Sequence, residues 1–427
     1  MQQLAVTPGG PLRGRVRVPG DKSISHRALL LGAIASGRSE ITSFLPAGDC
    51  LATLACMRAL GIEVAVHDLT TLSIHGRGLH GLRPPAAHLD CSRSGTTMRL
   101  LAGLLAGQPF DSVLTGDPQL LRRPMRRVVE PLRRMGAQIE DTDGRAPLLI
   151  SGRRLHGHNH VLPIASAQVK SALLLAGLYA DGVTSVQLPG PARDHTERMM
   201  FAMGAPMQMN GATATLSATR ALLPLSLAVP GDASSAAFLL AAAAVLPGSD
   251  VTIEAVGVNP TRTGLLDTLR SMGADVTVSR MREMGNEPVA DVTVKASELR
   301  GVSVNGDDVV RMIDELPVLA VVATQAHGLT VVKDASELRV KETDRITTTV
   351  TELRTLGAQI EPLPDGFAVE GPTQLRGCLV KSHGDHRLAM ALSVAGLLAS
   401  GETVVQDVSC IDDSFPGFSR LLISLRH

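Results

Sequence analysis

The chain of 427 residues carries 41 Lys and Arg against 41 Asp and Glu, and this zero net charge argues against nucleic acid or another general polyanion as partner. The absence of Trp and the single Tyr argue against base stacking, and five cysteines without a CxxC pair indicate neither a zinc site nor a disulfide framework. The sequence shows no basic leader followed by an apolar segment and no apolar run of about 20 residues, so we expect a cytoplasmic protein.

A short helical phrase that ends in glycine and leads into an extended strand recurs along the chain. Its glycines are Gly61, Gly136, Gly204, Gly273 and Gly357, at spacings of 68–84 residues. A truncated sixth copy stands at 418–422. Because solenoid repeats run only about 20–50 residues, a period of about 70 predicts an array of separate α/β units. We predict each repeat as helix, glycine C-cap, strand, turn, strand and second helix.

Strongly apolar helices follow polar segments in each repeat. We predict their starts at Ala28, Met98, Ser171, Ser234, Asp314 and Leu388. These helices are apolar on nearly all faces, which suits a helix packed inside surrounding sheets. The best boundary between two halves is the segment 224–230, which leaves about three repeats on each side.

The polar segments before these helices carry cations and small hydroxyls. They are GDKSISHR at 20–27, SRSGTTMR at 92–99, ASAQVKS at 165–171, RDHTER at 193–198, IDELP at 313–317, RVKETDR at 339–345 and HGDHR at 383–387. Each alone is explained as well by an ordinary capped helix or, as for the four arginines within 122–127, by a solvated charged face. Together they predict a local, strongly anion-binding site, because helix N-termini favour anions.

In this order, and over essentially the whole chain, the motifs resemble the 5-enolpyruvylshikimate-3-phosphate synthase family. The matching segments are GDKSISHR at 20–27, SGTTMR at 94–99, RPM at 123–125, SAQVKSALLLAG at 166–177, RDHTER at 193–198, GDASSAAF at 231–238, DELPVLA at 314–320, RVKETDR at 339–345 and GDHRLAMA at 384–391. The resemblance implies an inside-out α/β barrel: two domains, each of three βαβαββ repeats, with the active site in the interdomain cleft. It implies domains of residues 18–228 and of 1–17 plus 229–427, because the family's chain crosses between domains twice.

The implied reaction transfers the enolpyruvyl group of phosphoenolpyruvate to the 5-hydroxyl of shikimate 3-phosphate and releases phosphate, on the shikimate pathway to chorismate and the aromatic amino acids. The substrates bring two phosphates and two carboxylates, which need charge-assisted partners. Addition needs a proton delivered to C3 of the enol and one removed from the hydroxyl. By resemblance Asp314 is the base near the 5-hydroxyl, and Glu342 or Lys22 carries the C3 proton.

The resemblance also implies binding residues for each substrate. For shikimate 3-phosphate they are Lys22, Ser23, Arg27, Ser166, Ala167, Gln168, Arg193, Asp314 and Lys341. For phosphoenolpyruvate they are Lys22, Gly95, Thr96, Arg123, Gln168, Arg345, His386 and Arg387. We expect no metal and no cofactor, a monomer, and small-molecule partners that include glyphosate as an inhibitor. Gly95 keeps room for that inhibitor, whereas the less glyphosate-sensitive class, which the chain otherwise resembles, often has Ala there.

Two alternative functions remain at this point. The sister enzyme, UDP-N-acetylglucosamine enolpyruvyl transferase, shares fold and donor, but its loop carries a reactive Cys and the segment 115–127 here has none. A non-catalytic anion-binding scaffold would predict loss of the carboxylates, yet Asp314 and Glu342 are both present. Phosphate release with each acceptor in turn distinguishes the three.

Overall fold

A computed structural model describes residues 2–426 of the chain. The α-helices are α1 Lys22–Ile34, α2 Gly48–Ala59, α3 Gly95–Ala106, α4 Pro118–Leu121, α5 Arg126–Arg134, α6 Ala167–Gly177, α7 His195–Ala202, α8 Ala233–Val245, α9 Gly264–Ser271, α10 Asp307–Arg311, α11 Leu316–Ala323, α12 Arg345–Thr355, α13 His386–Leu398 and α14 Phe418–Ser424. Two 3-10 helices span Ser336–Val340 and Val408–Asp413 within the described residues.

Most of the strands are short. They are β1 Gln3–Val6, β2 Arg13–Val16, β3 Ser36–Thr42, β4 Glu63–Val66, β5 Leu72–Arg77, β6 Leu89–Asp90, β7 Ser112–Thr115, β8 Gln138–Thr142, β9 Arg145–Ser151, β10 Leu155–His156, β11 Asn159–Val161, β12 Ala180–Asp181, β13 Thr184–Gln187, β14 Met207–Asn210, β15 Thr213–Leu216, β16 Ser226–Ala228, β17 Asp250–Gly257, β18 Asp275–Met284, β19 Glu287–Lys295, β20 Ser303–Val304, β21 Gly328–Val332, β22 Gln359–Leu363, β23 Gly366–Gly371, β24 Leu379–Lys381 and β25 Thr403–Gln406.

One pattern of strand pairing recurs from sheet to sheet. In the sheet ordered β6-β7-β9-β8, β6 is parallel to β7, and β9 is antiparallel to both β7 and β8. Helix α3 connects the parallel pair, and α5 precedes the hairpin, which gives a βαβαββ repeat. The sheets β11-β13-β15-β14 and β20-β21-β23-β22 repeat this pattern of one parallel pair followed by two antiparallel pairs. In the sheet ordered β2-β17-β19-β18, β2 is parallel to β17, and β17 is antiparallel to β19. The predicted α/β repeat is therefore confirmed.

Three sheets are completed by strands that are distant in sequence. In one of them, β2 lies parallel to β17, with Arg13 opposite Asp250. Strand β16 lies parallel to β3, with Ser226 opposite Glu40, in the sheet β16-β3-β5-β4. Strand β1 lies antiparallel to β25, with Gln3 opposite Gln406, in the sheet β1-β25-β24. The first and last repeats thus each borrow a strand from far along the chain.

The chain divides into two compact lobes, which we describe separately. The N-terminal lobe comprises Gly20–Val229 together with Met284–Glu287. The C-terminal lobe comprises the segment that ends at Pro19, Pro230–Glu283 and the chain from Pro288 onward. Each lobe holds three of the repeated sheets, with their helices.

The glycine-ended phrases adopt the helix termination that the sequence predicts. Gly61, Gly136, Gly204, Gly273 and Gly357 have φ values of +84°, +94°, +80°, +99° and +93°. Side chains other than glycine pay a steric cost at such angles, which explains why glycine recurs there. The truncated sixth copy is also a helix, α14.

The central helices of the N-terminal lobe are buried on nearly all sides. In α3 and α6 almost every residue beyond the first turn is buried. A Cβ added at Gly103 of α3 would lie 2.0 Å from the carbonyl oxygen of Ala172 in α6, so these helices touch backbone to backbone. Helices α8, α11 and α13 are buried in the same way in the C-terminal lobe. Among the described helices, none combines the length and apolarity required to cross a membrane.

The predicted helix starts need correction. The corresponding helices begin at Lys22, Gly95, Ala167, Ala233, Leu316 and His386. The polar residue before five of them accepts a hydrogen bond from a backbone N–H of the first turn: Asp21, Ser94, Ser166, Asp232 and Asp385. Because these caps lie upstream of the apolar run, the polar motifs belong to the helices themselves. The exception is α11, which starts two residues after Asp314.

A buried histidine in α1 makes stability depend on pH. His26 Nδ1 lies 2.7 Å from Thr53 Oγ1, and burial lowers the pKa of His26 from 6.5 to about 3. The unfolded chain therefore binds a proton below pH 6.5 that the folded chain does not bind until near pH 3. Stability from this group is complete above pH 6.5 and falls as the pH drops toward 3. We expect a loss of about 1.4 kcal/mol per pH unit inside that window.

Urea unfolding at about pH 7 and about pH 4.5 measures how much the free energy of unfolding changes with pH because of His26. The variant His26→Asn retains a polar group near Thr53 but does not titrate there, so its stability should fall less between the two pH values than that of the wild type. The exposed His88→Asn serves as the matched control and should keep the wild-type difference. An equal pH dependence in His26→Asn and wild type would assign the effect to other groups.

Candidate functional site

The N-terminus of α1 presents a lysine that is held by a carboxylate. Asp21 caps the helix by accepting a hydrogen bond from Ile24 N at 2.9 Å. Lys22 is the first helical residue, and its Nζ lies 2.9 Å from Asp49 Oδ2 of α2, with both side chains half-buried. The ion pair fixes the lysine beside a helix N-terminus, where an anion is favoured. Asp49 escaped the sequence analysis because it lies outside the motifs.

Arg27 lies one turn further along α1 and is 3 % exposed. Its Nε donates to Thr196 Oγ1 at 2.6 Å, and its Nη2 donates to Ser171 Oγ at 2.7 Å. Its Nη1 donates to the carbonyl oxygen of Ser23 at 2.9 Å. Burial lowers the pKa of Arg27 to about 10, with Glu197 opposing the shift, so the guanidinium stays charged at neutral pH.

The partners of Arg27 explain why its charge suits an anionic ligand. They are neutral hydroxyl and carbonyl groups, so the guanidinium is oriented without being neutralised by its hydrogen-bond partners. Arg193 is near enough to lower the pKa of Arg27 further, which brings a second cation to the same place. The structure brings Ser23, Arg27 and Arg193 together. The sequence analysis did not identify Ser171 of α6 and Thr196 of α7 as partners of Arg27.

A second cluster lies at the N-termini of α3 and α6. Gln168 Oε1 accepts from Arg99 Nη1 at 2.7 Å, and Gln168 Nε2 donates to Thr96 Oγ1 at 2.9 Å. Ser166 caps α6 through Val169 N at 3.4 Å, and Ala167 is the first residue of that helix. The fold therefore joins the 94–99 and 166–168 motifs. Arg99 is only 1 % exposed and was missed, although it is the last residue of SGTTMR.

Gly95 allows two guanidinium groups to approach the start of α3. A Cβ at this position would lie 2.8 Å from Arg99 Nη1 and 2.9 Å from Arg123 Nη1. Contacts of that length are too close for a carbon atom, so a side chain would displace at least one arginine. Two cations against one helix N-terminus are an arrangement that favours an anion, which is the kind of site that the combined motifs predict.

The C-terminal lobe gathers three carboxylates around one arginine. Arg345 begins α12 and is 2 % exposed. Its Nε donates to Asp385 Oδ2 at 2.7 Å, its Nη1 to Asp314 Oδ1 at 3.1 Å and its Nη2 to Glu342 Oε2 at 2.6 Å. Burial alone would lower the pKa of Arg345, but Asp385, Glu342 and Asp314 together raise it well above its ordinary value.

Lys341 adds a second cation to this carboxylate group. Its Nζ lies 3.6 Å from Asp314 Oδ1. Asp314, Glu342, Lys341 and Arg345 therefore converge, as the motifs at 313–317 and 339–345 implied separately. Two carboxylates held next to cations and partly open to solvent form an arrangement that can accept and donate protons.

Asp385 organises the start of α13 as well as Arg345. It is fully buried and accepts a hydrogen bond from Arg387 N at 2.9 Å while binding Arg345. Arg387 is 4 % exposed, and its guanidinium lies over the ring of Phe238, 5.9 Å from the centroid. Within the described residues Arg387 Nη1 is buried without a hydrogen-bond acceptor, so it can donate to a ligand. His386 is the first residue of α13.

One group of potential metal ligands lies in the N-terminal lobe. Single ligand atoms of Asp194, His195 and Glu287 lie within 4.8 Å of one another. His195 Nδ1 pairs with Glu287 Oε1 at 2.7 Å, and Asp194 pairs with Arg198 at 2.9 Å. Because these side chains are engaged with one another and with an arginine, we assign no metal to them.

The N-terminal lobe places cations at helix starts, and the C-terminal lobe places cations beside paired carboxylates. Each arrangement is typical of an enzyme that acts on small anionic substrates. A sequence profile described as EPSP synthase (3-phosphoshikimate 1-carboxyvinyltransferase) matches residues 6–422. The 3-phosphoshikimate 1-carboxyvinyltransferase of Desulforudis audaxviator is 53% identical over 99% of both chains. That of Herpetosiphon aurantiacus is 54% identical over 95% of both. A solved EPSP synthase from Acinetobacter baumannii has a TM-score of 0.89 and 45% identity, covering 100% of this chain and 98% of that one.

The chain therefore belongs to the EPSP synthase family. The family resemblance and the two-domain inside-out α/β fold class, both inferred from the motifs, are confirmed. Its identification as a transferase is confirmed as well, and neither the sister enzyme nor a non-catalytic scaffold is favoured.

Proposed function

We propose that this chain transfers the enolpyruvyl group of phosphoenolpyruvate to the 5-hydroxyl of shikimate 3-phosphate with the residues described above, releasing phosphate. The observation that carries the proposal is the convergence of Asp314, Glu342 and Lys341 on the buried Arg345. Such a group supplies both proton-transfer carboxylates and cations for an anionic substrate. Family membership supports the choice of substrates.

Shikimate 3-phosphate binds through the cluster around Arg27. The guanidinium and the neighbouring Arg193 supply charge, and the start of α6 supplies backbone N–H groups. The proposed residues are Lys22, Ser23, Arg27, Ser166, Ala167, Gln168, Arg193, Asp314 and Lys341. Ser171 and Thr196 orient Arg27 and do not themselves need to touch the substrate.

Phosphoenolpyruvate binds through the remaining cations. Arg123 lies against Gly95, and Arg387 keeps a buried donor for a ligand oxygen. The proposed residues are Lys22, Gly95, Thr96, Arg123, Gln168, Arg345, His386 and Arg387. Glyphosate, itself a phosphonate and carboxylate, competes for these cations in our proposal.

Three proton transfers accompany the addition of the 5-hydroxyl oxygen to C2 and the later elimination of phosphate. Glu342 or Lys22 delivers a proton to C3 of phosphoenolpyruvate, which makes C2 electrophilic, while Asp314 takes the proton of the attacking 5-hydroxyl. Loss of phosphate then returns a proton from C3 and restores the double bond. The step needs neither metal nor cofactor.

We further propose that the enzyme acts as a cytoplasmic monomer with domains of residues 18–228 and of 1–17 plus 229–427. Sedimentation at working concentration tests the monomer. Limited proteolysis tests the boundaries, because cleavage sites concentrate in exposed connections. Cell fractionation tests the location.

Phosphate release with different acceptors tests the function. Purified enzyme is incubated with phosphoenolpyruvate and either shikimate 3-phosphate, UDP-N-acetylglucosamine or no acceptor. Release with shikimate 3-phosphate alone is expected. Release with the UDP-sugar would transfer the assignment to the sister activity, and release with neither would favour the scaffold.

Gly95→Ala should weaken binding of phosphoenolpyruvate. The new methyl group would lie under 3.0 Å from Arg99 and Arg123, so at least one guanidinium must move. Loss of one charge-assisted hydrogen bond, about 1.5–3 kcal/mol, predicts a rise of about tenfold or more in KM for phosphoenolpyruvate. Affinity for shikimate 3-phosphate should stay near wild type, and glyphosate inhibition should weaken.

Steady-state kinetics with each substrate varied in turn measure the effect of Gly95→Ala. Gly257→Ala is the matched control, because a Cβ there would find its nearest neighbour at 3.6 Å, an ordinary contact. An unchanged KM for phosphoenolpyruvate in Gly95→Ala would remove Gly95 from the proposed subsite.

A further inference from the structure

A buried polar chain in the C-terminal lobe ends at the residue next to Asp314. Arg262 Nη2 donates to Asp232 Oδ1 at 3.0 Å and to Ser234 Oγ at 2.8 Å. Ser234 Oγ in turn donates to Glu315 Oε1. Arg262, Ser234 and Glu315 are 5 %, 0 % and 2 % exposed. The proposed chemistry uses none of these three residues.

The position of Glu315 shows that its carboxylate serves a contact outside its own helix. It occupies the N-cap of α11, yet its side chain makes no capping hydrogen bond to that helix. A carboxylate at a helix start would ordinarily accept from the first-turn N–H groups. Here it is turned to the start of α8, in the preceding repeat, and is buried there with Ser234.

The surroundings exclude a substrate site at this cluster. Arg262 and Glu315 line a cavity of about 20 Å³, whose other walls are mostly apolar side chains of α8, α9 and the adjoining strands. That volume admits one water molecule and nothing larger. The buried charges therefore hold neighbouring elements of the lobe together and do not bind a ligand.

We propose that Ser234, Glu315 and Arg262 are positioning residues for Asp314. The proposal rests on the proposed function, in which Asp314 takes a proton. The Asp314 carboxylate is fixed through Arg345 Nη1 at 3.1 Å, and the backbone that carries it is fixed through the adjoining Glu315. Without the second anchor the segment 313–315, which precedes α11, can shift, and a displacement of about 1 Å can cost up to about 100-fold in rate.

Ser234→Ala tests the anchor, because it removes the hydroxyl that joins Arg262 to Glu315. We expect kcat for phosphate release to fall about tenfold or more, with KM for both substrates within about twofold of wild type. Ser393→Ala is the matched control: Ser393 is equally buried, but its hydroxyl donates to Ala389 O inside α13. The control should keep wild-type kcat. Thermal unfolding of each variant verifies that the assayed protein is folded.

Two further variants separate positioning from a general loss of order. Glu315→Gln keeps an acceptor oxygen for Ser234 and should retain most of kcat, whereas Glu315→Ala should match Ser234→Ala. In an Asp314→Asn background, Ser234→Ala should cause little further loss, because the group that it positions no longer takes a proton.

Specific outcomes overturn the inference. Equal fold losses from Ser234→Ala in the wild-type and Asp314→Asn backgrounds would show that the chain acts independently of Asp314. An unchanged kcat in Ser234→Ala, with an active wild type, would also reject it while leaving the proposed function intact. A wild type that releases no phosphate from shikimate 3-phosphate and phosphoenolpyruvate would overturn the proposed function first, and this inference with it.

Discussion

Arg345→Ala should lower phosphate release at least about 1,000-fold and reduce the free energy of unfolding by about 3–5 kcal/mol, the usual cost of breaking a buried ion pair. The reason is that Asp314, Glu342 and Asp385 all bind this one guanidinium. Its removal leaves three neighbouring carboxylates without their shared cation and also removes a proposed ligand of phosphoenolpyruvate. Coupled phosphate assays and urea unfolding measure the two effects.

The same helix offers a matched control. Arg354→Ala removes an exposed arginine of α12 whose partner is Glu361, and surface pairs of this kind contribute under about 1 kcal/mol. Arg345→Lys keeps the charge but cannot reproduce the fork that reaches three carboxylates, so it should recover stability in part and activity poorly. A kcat for Arg345→Ala within tenfold of wild type would remove Arg345 from the reaction.

The repeats could be predicted because their signal is local. A glycine that ends a helix must reach positive φ, so the five copies share one residue type at one structural position. The strand pairings that complete the first and last repeats leave no such signal. Ser226 pairs opposite Glu40, and Gln3 opposite Gln406, across separations that no sequence periodicity records. Most of the predicted helix starts lie too far along the chain, because an apolar run marks the buried portion of a helix, while its first turn is polar.

The sequence also allowed us to identify candidate site residues that lie inside motifs. It did not allow us to predict which residues they contact. Arg345 belongs to RVKETDR, but the fact that it binds Asp314 and Asp385 depends on packing between α11, α12 and α13. Asp385 is itself in the GDHR motif and was overlooked because a buried capping residue resembles any other helix cap. Thr196 and Ser171 lie inside α7 and α6, and their contact with Arg27 depends on how these helices pack against α1.

The two lobes handle their buried cations differently. Arg27 is surrounded by hydroxyl and carbonyl oxygens, so its charge is not neutralised by its hydrogen-bond partners. Arg345 is surrounded by three carboxylates, so the group that includes Lys341 carries an excess of negative charge. The first arrangement favours binding a substrate anion, and the second supplies carboxylates that can exchange protons with a substrate. This division agrees with the roles that the family resemblance implied, in which Arg27 binds a substrate and Asp314 is the base.

Asp314→Asn isolates the second role. The amide keeps the size of the side chain and an oxygen that can accept from Arg345 Nη1, as Oδ1 does at 3.1 Å in the wild type. It cannot take a proton from the 5-hydroxyl. Loss of a general base predicts a fall in kcat of about 100- to 10,000-fold. The dissociation constant of shikimate 3-phosphate should rise at most about threefold, because Arg27 and Arg193 are untouched.

Binding calorimetry and single-turnover phosphate release measure the two quantities independently. Asp308→Asn provides the control, since Asp308 is an exposed carboxylate of α10 in the same lobe, paired only at the surface with Arg311 among the contacts described for it. It should leave both quantities unchanged. Glu342→Gln, in comparison, should lower kcat if Glu342 carries the C3 proton, and should have a small effect if Lys22 does. A near-normal kcat in Asp314→Asn would show that Asp314 is not the base, because the amide that replaces its carboxylate cannot accept a proton.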